Sequence, residues 1–395
     1  MNFAVKDHSK AFFEHLVDGQ IDHGADDLWL AAGHPPWLRR HGQTIPWEAV
    51  EPGFSFNITQ KELEGVIGYA AQIAHLDSDV FNVEDGPGFS FRYRGFIFRG
   101  CVSTQAGGAM LSLRKFSPLD SDTHPAKDSI PTKIFDCCDE IHRGILAVTS
   151  PTGEGKSTTL ALLLNHIIGT RPVCMTILER FAEYDLATDK VNAFCVRKRI
   201  GIDAMSYANG IRIASREGTD VIVVSEIDDV ATLRAIFSAA AKGHLVLLML
   251  NARDGCEALC EIESFYPTSE RSIVRETMAR HVQAIISQMA FPNLASEGLV
   301  HCFSLLKMNA QIRAHISADK FPEIRSSVGT DPMHCISMEE SIIRQINARR
   351  INLETALSKV PDPDYLRNRW DFSALERRGT DGYGATDSGI AGDLH

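Results

Sequence analysis

The sequence predicts an α/β protein made of two domains, an N-terminal α+β domain and a C-terminal core with a parallel sheet. Two observations support this fold class. From Gly144 onward, short apolar segments alternate with helical ones, as a parallel sheet covered by helices requires. Before residue 117, strand-like alternation and helical periodicity are both present, but they do not follow that regular order.

The N-terminal domain is expected to cover residues 1–116. Its predicted elements are a helix, a strand, a second helix and two further strands, over residues 10–20, 27–30, 59–75, 89–103 and 109–116. The second helix has a start signal, because Thr59 followed by Glu62 is the pattern of a capping box. The last two strands are separated by a turn at Gly107 and Gly108.

The rest of the chain divides into a linker, a core, a helical region and a tail. Residues 117–131 contain three prolines and are the predicted linker. The core is expected over residues 132–322, a C-terminal helical region over 323–375 and a disordered, Gly- and Asp-rich tail over 376–395. The predicted core strands and later helices are residues 145–149, 173–178, 221–224 and 245–250, then 338–348 and 353–359.

Composition indicates a globular protein of the cytoplasm. Apolar residues make up 44% and charged residues 23% of the 395 residues. The net charge of -11 does not attract a nucleic-acid backbone, so no specific nucleic-acid binding is expected. Residues 1–20 lack the apolar stretch of a secretory signal, and the longest apolar run, 235–250, is too short to span a bilayer.

The nine cysteines do not predict a metal site or a disulfide framework. They form no CxxC pair, which argues against a zinc ribbon. Cys256 and Cys260 can share a helix face, but two thiols without further ligands are expected to be packed apolar residues.

The strongest motif directly follows the strand predicted at 145–149. It reads Ser150-Pro151-Thr152-Gly153-Glu154-Gly155-Lys156-Ser157-Thr158, and the residues predicted to bind ATP are Thr152, Gly153, Glu154, Gly155, Lys156, Ser157 and Thr158. A loop between a strand and a helix can hold phosphate, because its backbone N–H groups and the helix N-terminus face the anion. Lys156 is expected to reach the β- and γ-phosphates and Ser157 to bind Mg²⁺. Ser150 replaces the first consensus glycine.

Carboxylates and a histidine lie near the ends of other predicted core strands. Glu226 ends an apolar strand in the Walker B arrangement, where it would bind Mg²⁺ or polarise the attacking water; capping the next helix is the alternative. Glu179 and Glu183 follow the strand at 173–178 and are candidate general bases or, alternatively, surface ion-pair residues. His244 is either a γ-phosphate contact or an ordinary structural histidine.

In this order and spacing, the motifs resemble the secretion and pilus-retraction ATPases, which include the PilT-like, DotB-like and TraJ-like motors. The similar segments lie within residues 26–357 and are 27–39, 151–162, 211–226, 240–246, 265–267, 284–288 and 311–316. The resemblance implies a PAS-like N-terminal domain, a RecA-like P-loop ATPase core and a homohexameric ring. It also implies inner-membrane secretion or pilus platform proteins as partners, and a cytoplasmic position at the inner membrane.

The resemblance also implies roles for particular residues. Glu183 matches the family's catalytic glutamate, and Glu179 matches an acidic position in the same segment. Arg99 and Arg114 match arginines that the N-terminal domain directs at the nucleotide phosphates. Guanidinium groups placed there would neutralise charge that develops on the γ-phosphate.

Three departures from the family pattern affect the functional hypothesis. Arg180 and Phe181 replace a central Asp-Pro, Asn251 replaces a second histidine, and Gly107 replaces an arginine. They suggest slow turnover and favour a type IVB secretion or conjugation motor over the alternative, a type IV pilus retraction motor. A further alternative is a ring subunit that binds nucleotide but barely hydrolyses it. A P-loop kinase or recombinase is disfavoured by the acidic composition.

Overall fold

The computed structural model describes residues 3–40, 43–54, 56–76, 88–116, 125–184, 186, 193–294, 298–328, 331, 335–360 and 362–370. Within these residues the chain forms one sheet of six strands and one of seven. Most of the predicted linker and all of the predicted tail lie outside the described residues. The described part of the linker contains the short helix α3 (Pro125–Ser129).

The N-terminal part is a six-stranded antiparallel sheet packed against two helices. Its elements are α1 (Phe3–Asp22), β1 (Asp27–Ala31), β2 (Trp37–Arg40), β3 (Gln43–Pro46), a 3-10 turn (Trp47–Ala49), α2 (Gln60–Ile73), β4 (Gly88–Tyr93), β5 (Phe96–Gln105) and β6 (Gly108–Phe116). The strand order is β3-β2-β1-β6-β5-β4. Fully buried apolar side chains, such as Phe13, Leu28 and Phe98, form the core between the helices and the sheet.

Local signals explain where these elements begin and where one prediction was wrong. The capping box is confirmed, since the backbone N–H of Thr59 donates to Glu62 Oε2 at 2.8 Å and the N–H of Glu62 donates back to Thr59 Oγ1 at 3.3 Å. The strand predicted over residues 89–103 is instead a hairpin that reverses at Arg94 and Gly95. Both have positive φ, 48° and 79°. A two-residue turn of this kind normally carries Asn or Gly first, so Arg94 concealed it.

The C-terminal part is a seven-stranded sheet covered by helices. Its elements are α4 (Thr132–Glu140), β7 (Gly144–Thr149), α5 (Lys156–Thr170), β8 (Cys174–Glu179), β9 (Phe194–Arg199), α6 (Tyr207–Arg216), β10 (Val221–Val224), α7 (Val230–Ala241), β11 (Leu245–Leu250), α8 (Gly255–Ser264), α9 (Arg271–His281), β12 (Val282–Pro292) and β13 (Leu299–Lys307). The strand order is β13-β12-β7-β11-β10-β8-β9. Neighbouring strands are parallel except for the pair β12–β13.

All four predicted core strands are present, as β7, β8, β10 and β11. Every side chain of β7, β10 and β11 is buried, because apolar clusters cover both faces of the sheet. The sequence analysis did not predict β9, β12 or β13. The carboxyl ends of the parallel strands meet at one edge of the sheet, which is where open α/β sheets bind ligands.

Further helices follow the second sheet. They are α10 (Ala310–Ser317), α11 (Phe321–Val328), α12 (Met338–Asn347) and α13 (Leu353–Lys359), with residues 363–370 also helical. α12 and α13 contribute to an apolar cluster with the outer strands, which includes Phe291 and Leu357. In the part of the chain described, no helix is long and apolar enough to cross a membrane.

The nine cysteines are free thiols. Cys256 packs against the core as expected, and burial raises its pKa to about 12. Cys260 is exposed, so its prediction as a packed apolar residue was wrong.

Candidate functional site

A cavity of 390 Å³ lies at the carboxyl edge of the seven-stranded sheet. Its lining combines residues of β5 and β6 with the loops that follow β7, β8, β10 and β11. Four cations line it, Arg99, Arg114, Lys156 and Arg180, together with three carboxylates, Glu179, Glu183 and Glu226. The volume is within the usual range for small-molecule sites, and the cations suit an anionic ligand.

The loop between β7 and α5 has the shape that its glycines predict. Gly153 and Gly155 both have φ of 85°, in the left-handed region that favours glycine. Ser150, where the consensus has glycine, is buried and does not have positive φ, so a side chain is tolerated there. Its Oγ donates to the carbonyl of Pro151 at 2.9 Å.

Lys156 is the first residue of α5. Its ammonium lies across the phosphate loop, next to the carboxyl end of β11. Nζ donates to Ser150 O at 3.1 Å, to Leu250 O at 2.8 Å and to Asn251 Oδ1 at 2.5 Å. Burial lowers the pKa of Lys156 to about 8, while Glu261 and Glu183 oppose that shift. The ammonium therefore lies among oxygen atoms at the cavity, where phosphate oxygens can replace the acceptors. One of these acceptors is Asn251, which stands where the family pattern has a second histidine.

Glu183 bridges the phosphate loop and the N-terminal sheet. Ser157 Oγ donates to its Oε2 at 2.5 Å, and Arg99 Nη1 donates to its Oε1 at 3.0 Å. Ser157 belongs to α5, Glu183 to the loop after β8, and Arg99 to β5. The structure therefore brings together three predicted site residues that are widely separated in sequence.

Glu179 differs from Glu183 in its surroundings. Its side chain is buried, and Arg197 of β9 donates from Nη1 to its Oε1 at 2.5 Å. Arg197 also donates from Nη2 to the carbonyl of Tyr184 at 2.7 Å. Of the two sequence interpretations of Glu179, the ion pair is observed, although it is buried and not at the surface; the role of general base stays a prediction. The pair fixes the ends of the segment that carries Glu183.

The tip of the same segment packs against the N-terminal sheet. The Phe181 ring covers Gly88 of β4 so closely that a Cβ on Gly88 would lie 2.3 Å from its Cζ. The Arg99 guanidinium lies 4.6 Å from the centroid of that ring, and the backbone N–H of Ala182 donates to Ser90 Oγ at 3.3 Å. Phe181, one of the two residues that replace Asp-Pro, thus forms an interdomain contact, which the sequence analysis did not anticipate.

Glu226 follows β10 and lines the cavity as predicted, but it lies beside Arg180. Arg180 Nε is 3.4 Å from Glu226 Oε2, and Arg180 Nη2 donates to Asp228 Oδ2 at 2.8 Å. The alternative of a helix cap is wrong for Glu226, since Asp229 caps α7 through the backbone N–H of Thr232. The carboxylate that contacts Ser157 is Glu183. The role of Ser157 and Glu226 as metal ligands stays a prediction.

The interpretation of His244 as a γ-phosphate contact is wrong. His244 precedes β11, whose first residue Leu245 pairs with Gly144, whereas the phosphate loop follows Thr149 at the other end of β7. Strands of this length place the two ends about 20 Å apart. Nδ1 of His244 donates to Thr219 O at 2.7 Å, so the ring is a satisfied structural histidine.

Arg114 lines the cavity but is engaged within its own domain. Its Nε and Nη2 donate to Asp27 Oδ1 and Oδ2 at 2.7 and 3.1 Å. This bidentate pair with a buried carboxylate fixes the guanidinium beside the cavity. Arg114 is therefore near the predicted phosphate site, but Arg99 is the arginine that contacts Glu183.

The far side of the phosphate loop has partners that sequence reasoning missed. Glu154 Oε1 accepts from Lys359 Nζ at 2.6 Å, and Glu154 Oε2 accepts from the N–H of Ala290 at 2.9 Å. Gln288 of β12 donates to the carbonyl of Glu154 and accepts from Thr159 Oγ1. These partners lie more than 100 residues from the loop, and no local motif connects them to it.

The model of the type II/IV secretion system protein family matches residues 121–346. The chain belongs to this family. The Pseudomonas aeruginosa type IV pilus retraction ATPase PilT is 27% identical over 347 residues, which cover 86% of this chain and 96% of PilT. A twitching motility protein of Neisseria gonorrhoeae is 32% identical over 293 residues, covering 74% of this chain and 68% of that protein.

Solved structures agree with this secretion-system family. The pilus retraction motor PilT, determined with bound ADP, has a TM-score of 0.75 at 27% identity and covers 90% of this chain and 98% of its own. The ATPase DotB of Legionella pneumophila has a TM-score of 0.68 at 19% identity, covering 87% and 94%. The predicted fold class, a PAS-like N-terminal domain followed by a RecA-like core, is confirmed.

The site of this family member fits a nucleotide with Mg²⁺. Gly153 lines the cavity, and nothing lies within 4 Å of a Cβ built there. Among the described residues, no cluster of three or more His, Cys, Asp or Glu side chains is arranged to hold a metal ion. Mg²⁺ at such sites takes one or two protein oxygens and completes its shell with phosphate and water. Ser157 is the residue placed to supply such an oxygen, and its hydroxyl donates to the neighbouring Glu183.

Proposed function

We propose that this chain is the ATP-hydrolysing motor subunit of a pilus-retraction apparatus, acting as a homohexamer. The carrying observation is the Glu183 bridge between Ser157 of the phosphate loop and Arg99 of the N-terminal sheet. A motor needs a base beside the phosphates and a link that transmits the phosphate state to a second domain. The Glu183 carboxylate can serve both as that base and as that link.

Each site residue has a distinct role in this proposal. The N–H groups of the loop from Thr152 to Thr158 and the ammonium of Lys156 bind the phosphates. Ser157 would hold Mg²⁺, which when bound would neutralise phosphate charge. Glu183 accepts the proton of the attacking water, and Arg99 stabilises negative charge on the γ-phosphate.

Glu179 and Glu226 act through their neighbours. Glu179, buried with Arg197, holds the segment that presents Glu183. Glu226 orients water at the end of β10, and its own orientation is set by Arg180. Both are therefore expected to affect turnover more than nucleotide affinity.

A pilus-retraction apparatus is proposed because the similar proteins include pilus-retraction and twitching motility proteins. The similarity to PilT spans nearly all of PilT, and a twitching motility protein is similar as well. The type IVB secretion motor preferred in the sequence analysis has weaker support, because DotB at 19% identity shows the fold alone. We keep the predicted boundaries, with domains at 1–116 and 132–322 and a helical region at 323–375. Inner-membrane pilus platform proteins are the proposed partners, and the cytoplasmic face of that membrane is the proposed location.

A ring subunit that binds nucleotide with little turnover is the second candidate. The observation in its favour is Arg180, whose guanidinium lies between Glu226 and Asp228 and reduces the negative charge available at the end of β10. Asn251 does not distinguish the candidates, because its side chain already accepts from Lys156.

The test is ATP turnover by the purified chain with Mg²⁺, measured alongside binding of a fluorescent ATP analogue. The motor predicts turnover that Lys156→Ala and Glu183→Gln abolish, with binding lost only in Lys156→Ala. Glu217→Gln, which alters an exposed carboxylate paired with Lys198, is the matched control. Binding without turnover would favour the second candidate, and no binding would contradict both. Restored twitching in a strain without its retraction ATPase would support the proposed apparatus.

A further inference from the structure

Glu154 places a carboxylate inside a loop that is built to bind an anion. It lies two positions before Lys156, between the two glycines of positive φ, and only 9% of the residue is exposed. Its side chain points away from the cavity lining, toward β12 and α13. A negative charge at this place opposes binding of a triphosphate unless a cation neutralises it.

Lys359, the last residue of α13, is that cation. Its Nζ donates to Glu154 Oε1 and to the carbonyl of Ala290, both at 2.6 Å, and lies 5.5 Å from the centroid of the Phe291 ring. The ammonium is therefore held by two oxygens and an aromatic face. These contacts connect the C-terminal helical region directly to the phosphate loop.

α13 itself is anchored to the body of the protein. Asn352 caps its start, with Oδ1 accepting from the N–H of Glu354 at 2.8 Å. Ala356 and Leu357 are buried in the apolar cluster that includes Phe291. Because α13 is fixed in this way and Lys359 binds Glu154, the position of α13 constrains the backbone of the phosphate loop at Glu154.

The loop is held from this side at a second point. Gln288 of β12 donates to the carbonyl of Glu154, while Lys359 and Ala290 hold its carboxylate. Main chain and side chain of one residue are thus fixed together. Without the Lys359 ammonium, the largely buried Glu154 carboxylate would keep only the Ala290 N–H as a donor among these contacts. The carboxylate could then reach water only if the loop moved.

We propose that Lys359 is a positioning residue for nucleotide binding, which neutralises Glu154 and keeps the phosphate loop in its anion-binding shape. Through this contact the C-terminal helix α13 sets the affinity of the site for ATP. The inference rests on the proposed nucleotide-binding function, and it assigns to the C-terminal helical region an effect on a site in whose lining α13 takes no part.

The experiment measures the dissociation constant of Mg-ATP for the full chain by titration calorimetry at low and high salt. Lys359→Met is expected to weaken binding about tenfold, since it leaves Glu154 charged and uncompensated. The loss should be larger at low salt, where the uncompensated charge is less screened. Lys359→Arg should bind within about threefold of the unmodified chain, because it keeps the cation.

The double variant Lys359→Met with Glu154→Gln separates charge from packing. The amide that replaces the Glu154 carboxylate keeps an acceptor for the Ala290 N–H and removes the charge. Affinity should therefore return to within about twofold of Glu154→Gln alone. Arg369→Gln is the matched control, because it breaks a surface pair with Glu340 in the same helical region. Its affinity should equal that of the unmodified chain.

The outcomes distinguish this inference from the proposed function. If the unmodified chain fails to bind ATP, the proposed function is wrong. If it binds and Lys359→Met binds equally well, only the role of Lys359 is overturned. A double variant as weak as Lys359→Met would also overturn that role, since packing rather than charge would explain the loss. Should Lys359→Met not fold, a double variant that binds ATP much more weakly than Glu154→Gln alone would still overturn that role.

Discussion

Nη1 of Arg99, on the N-terminal sheet, and Oε1 of Glu183, in the loop after β8, lie 3.0 Å apart across 84 residues of sequence. This ion pair joins the N-terminal sheet to the segment that carries the proposed base. Arg99 also lies over Phe181 of the same segment. Through these two contacts Arg99 connects the N-terminal domain to the phosphate site.

Replacing Arg99 with Gln should reduce kcat about a hundredfold, because a charge facing the γ-phosphate is removed. KM for ATP should change by only a few-fold, since the loop and Lys156 remain. Steady-state kinetics provide the measurement. Arg94→Gln, which breaks a pair with Asp18 elsewhere in the N-terminal domain, should leave kcat unchanged. Equal kinetics for Arg99→Gln and the unmodified chain would remove Arg99 from the reaction.

Nucleotide affinity should depend on pH through Lys156. Burial lowers the pKa of this ammonium to about 8, so its charge is present at lower pH and is lost as the pH rises through 8. Bound phosphate favours the charged form, and binding at pH 8.5 should therefore take up protons. Calorimetry in buffers of different ionisation enthalpy measures that uptake. Binding at pH 9 as tight as at pH 7 would contradict the assignment.

Glu226→Gln should spare ATP binding and slow turnover about tenfold or more, because a carboxylate that orients water is neutralised. Asp228→Asn is the control, since Asp228 is the other acceptor of Arg180 but is absent from the cavity lining. Its turnover should stay within about twofold of normal. Normal turnover in Glu226→Gln would exclude this residue from the chemistry.

Gly88→Val should uncouple the Glu183 segment from the N-terminal sheet. A side chain there collides with the Phe181 ring, so unfolding free energy should fall by about 1–3 kcal/mol and turnover should decrease. The double variant with Phe181→Ala should recover stability, because the space is restored. Gly68→Ala, in open space on α2, is the control for a glycine replacement. Urea denaturation and ATPase assays give both readouts.

His244→Ala should leave turnover unchanged, because the imidazole lies at the opposite end of the sheet from the phosphate loop. Loss of the hydrogen bond to Thr219 O should lower the unfolding free energy by about 1 kcal/mol. Urea denaturation and a turnover assay on the same preparation check the two parts. A large fall in turnover at unchanged stability would restore His244 to the site.

The sequence predicted the phosphate loop well because its signals are contiguous. A strand, two glycines, Lys156 and a helix start lie within a dozen residues, and each has a local physical reason. The four buried parallel strands were predicted equally well, because each is a continuous apolar run in the sequence. Edge strand β9 was missed because its charged residues 197–199 conceal it.

Tertiary partners could not be predicted in the same way. Nothing local to Glu179 indicates Arg197, and nothing local to Glu154 indicates Lys359, because such pairs depend on how distant segments meet. The same holds for Phe181 against Gly88, where a departure from the family pattern turned out to be an interdomain contact. His244 was misplaced although it directly precedes a core strand, a position that lies at the amino edge of a parallel sheet and therefore opposite the phosphate loop.

The support of the phosphate loop by β12 has a consequence for protein engineering. A Cβ on Gly155 would lie 3.2 Å from Gln288 Nε2 and from His301 Nε2, so the outer antiparallel pair β12–β13 forms the wall behind the loop. A chimera that exchanges only residues 150–158 would set foreign side chains against this wall. Transplanting the nucleotide specificity of this protein therefore requires moving the loop together with its two backing strands as one module.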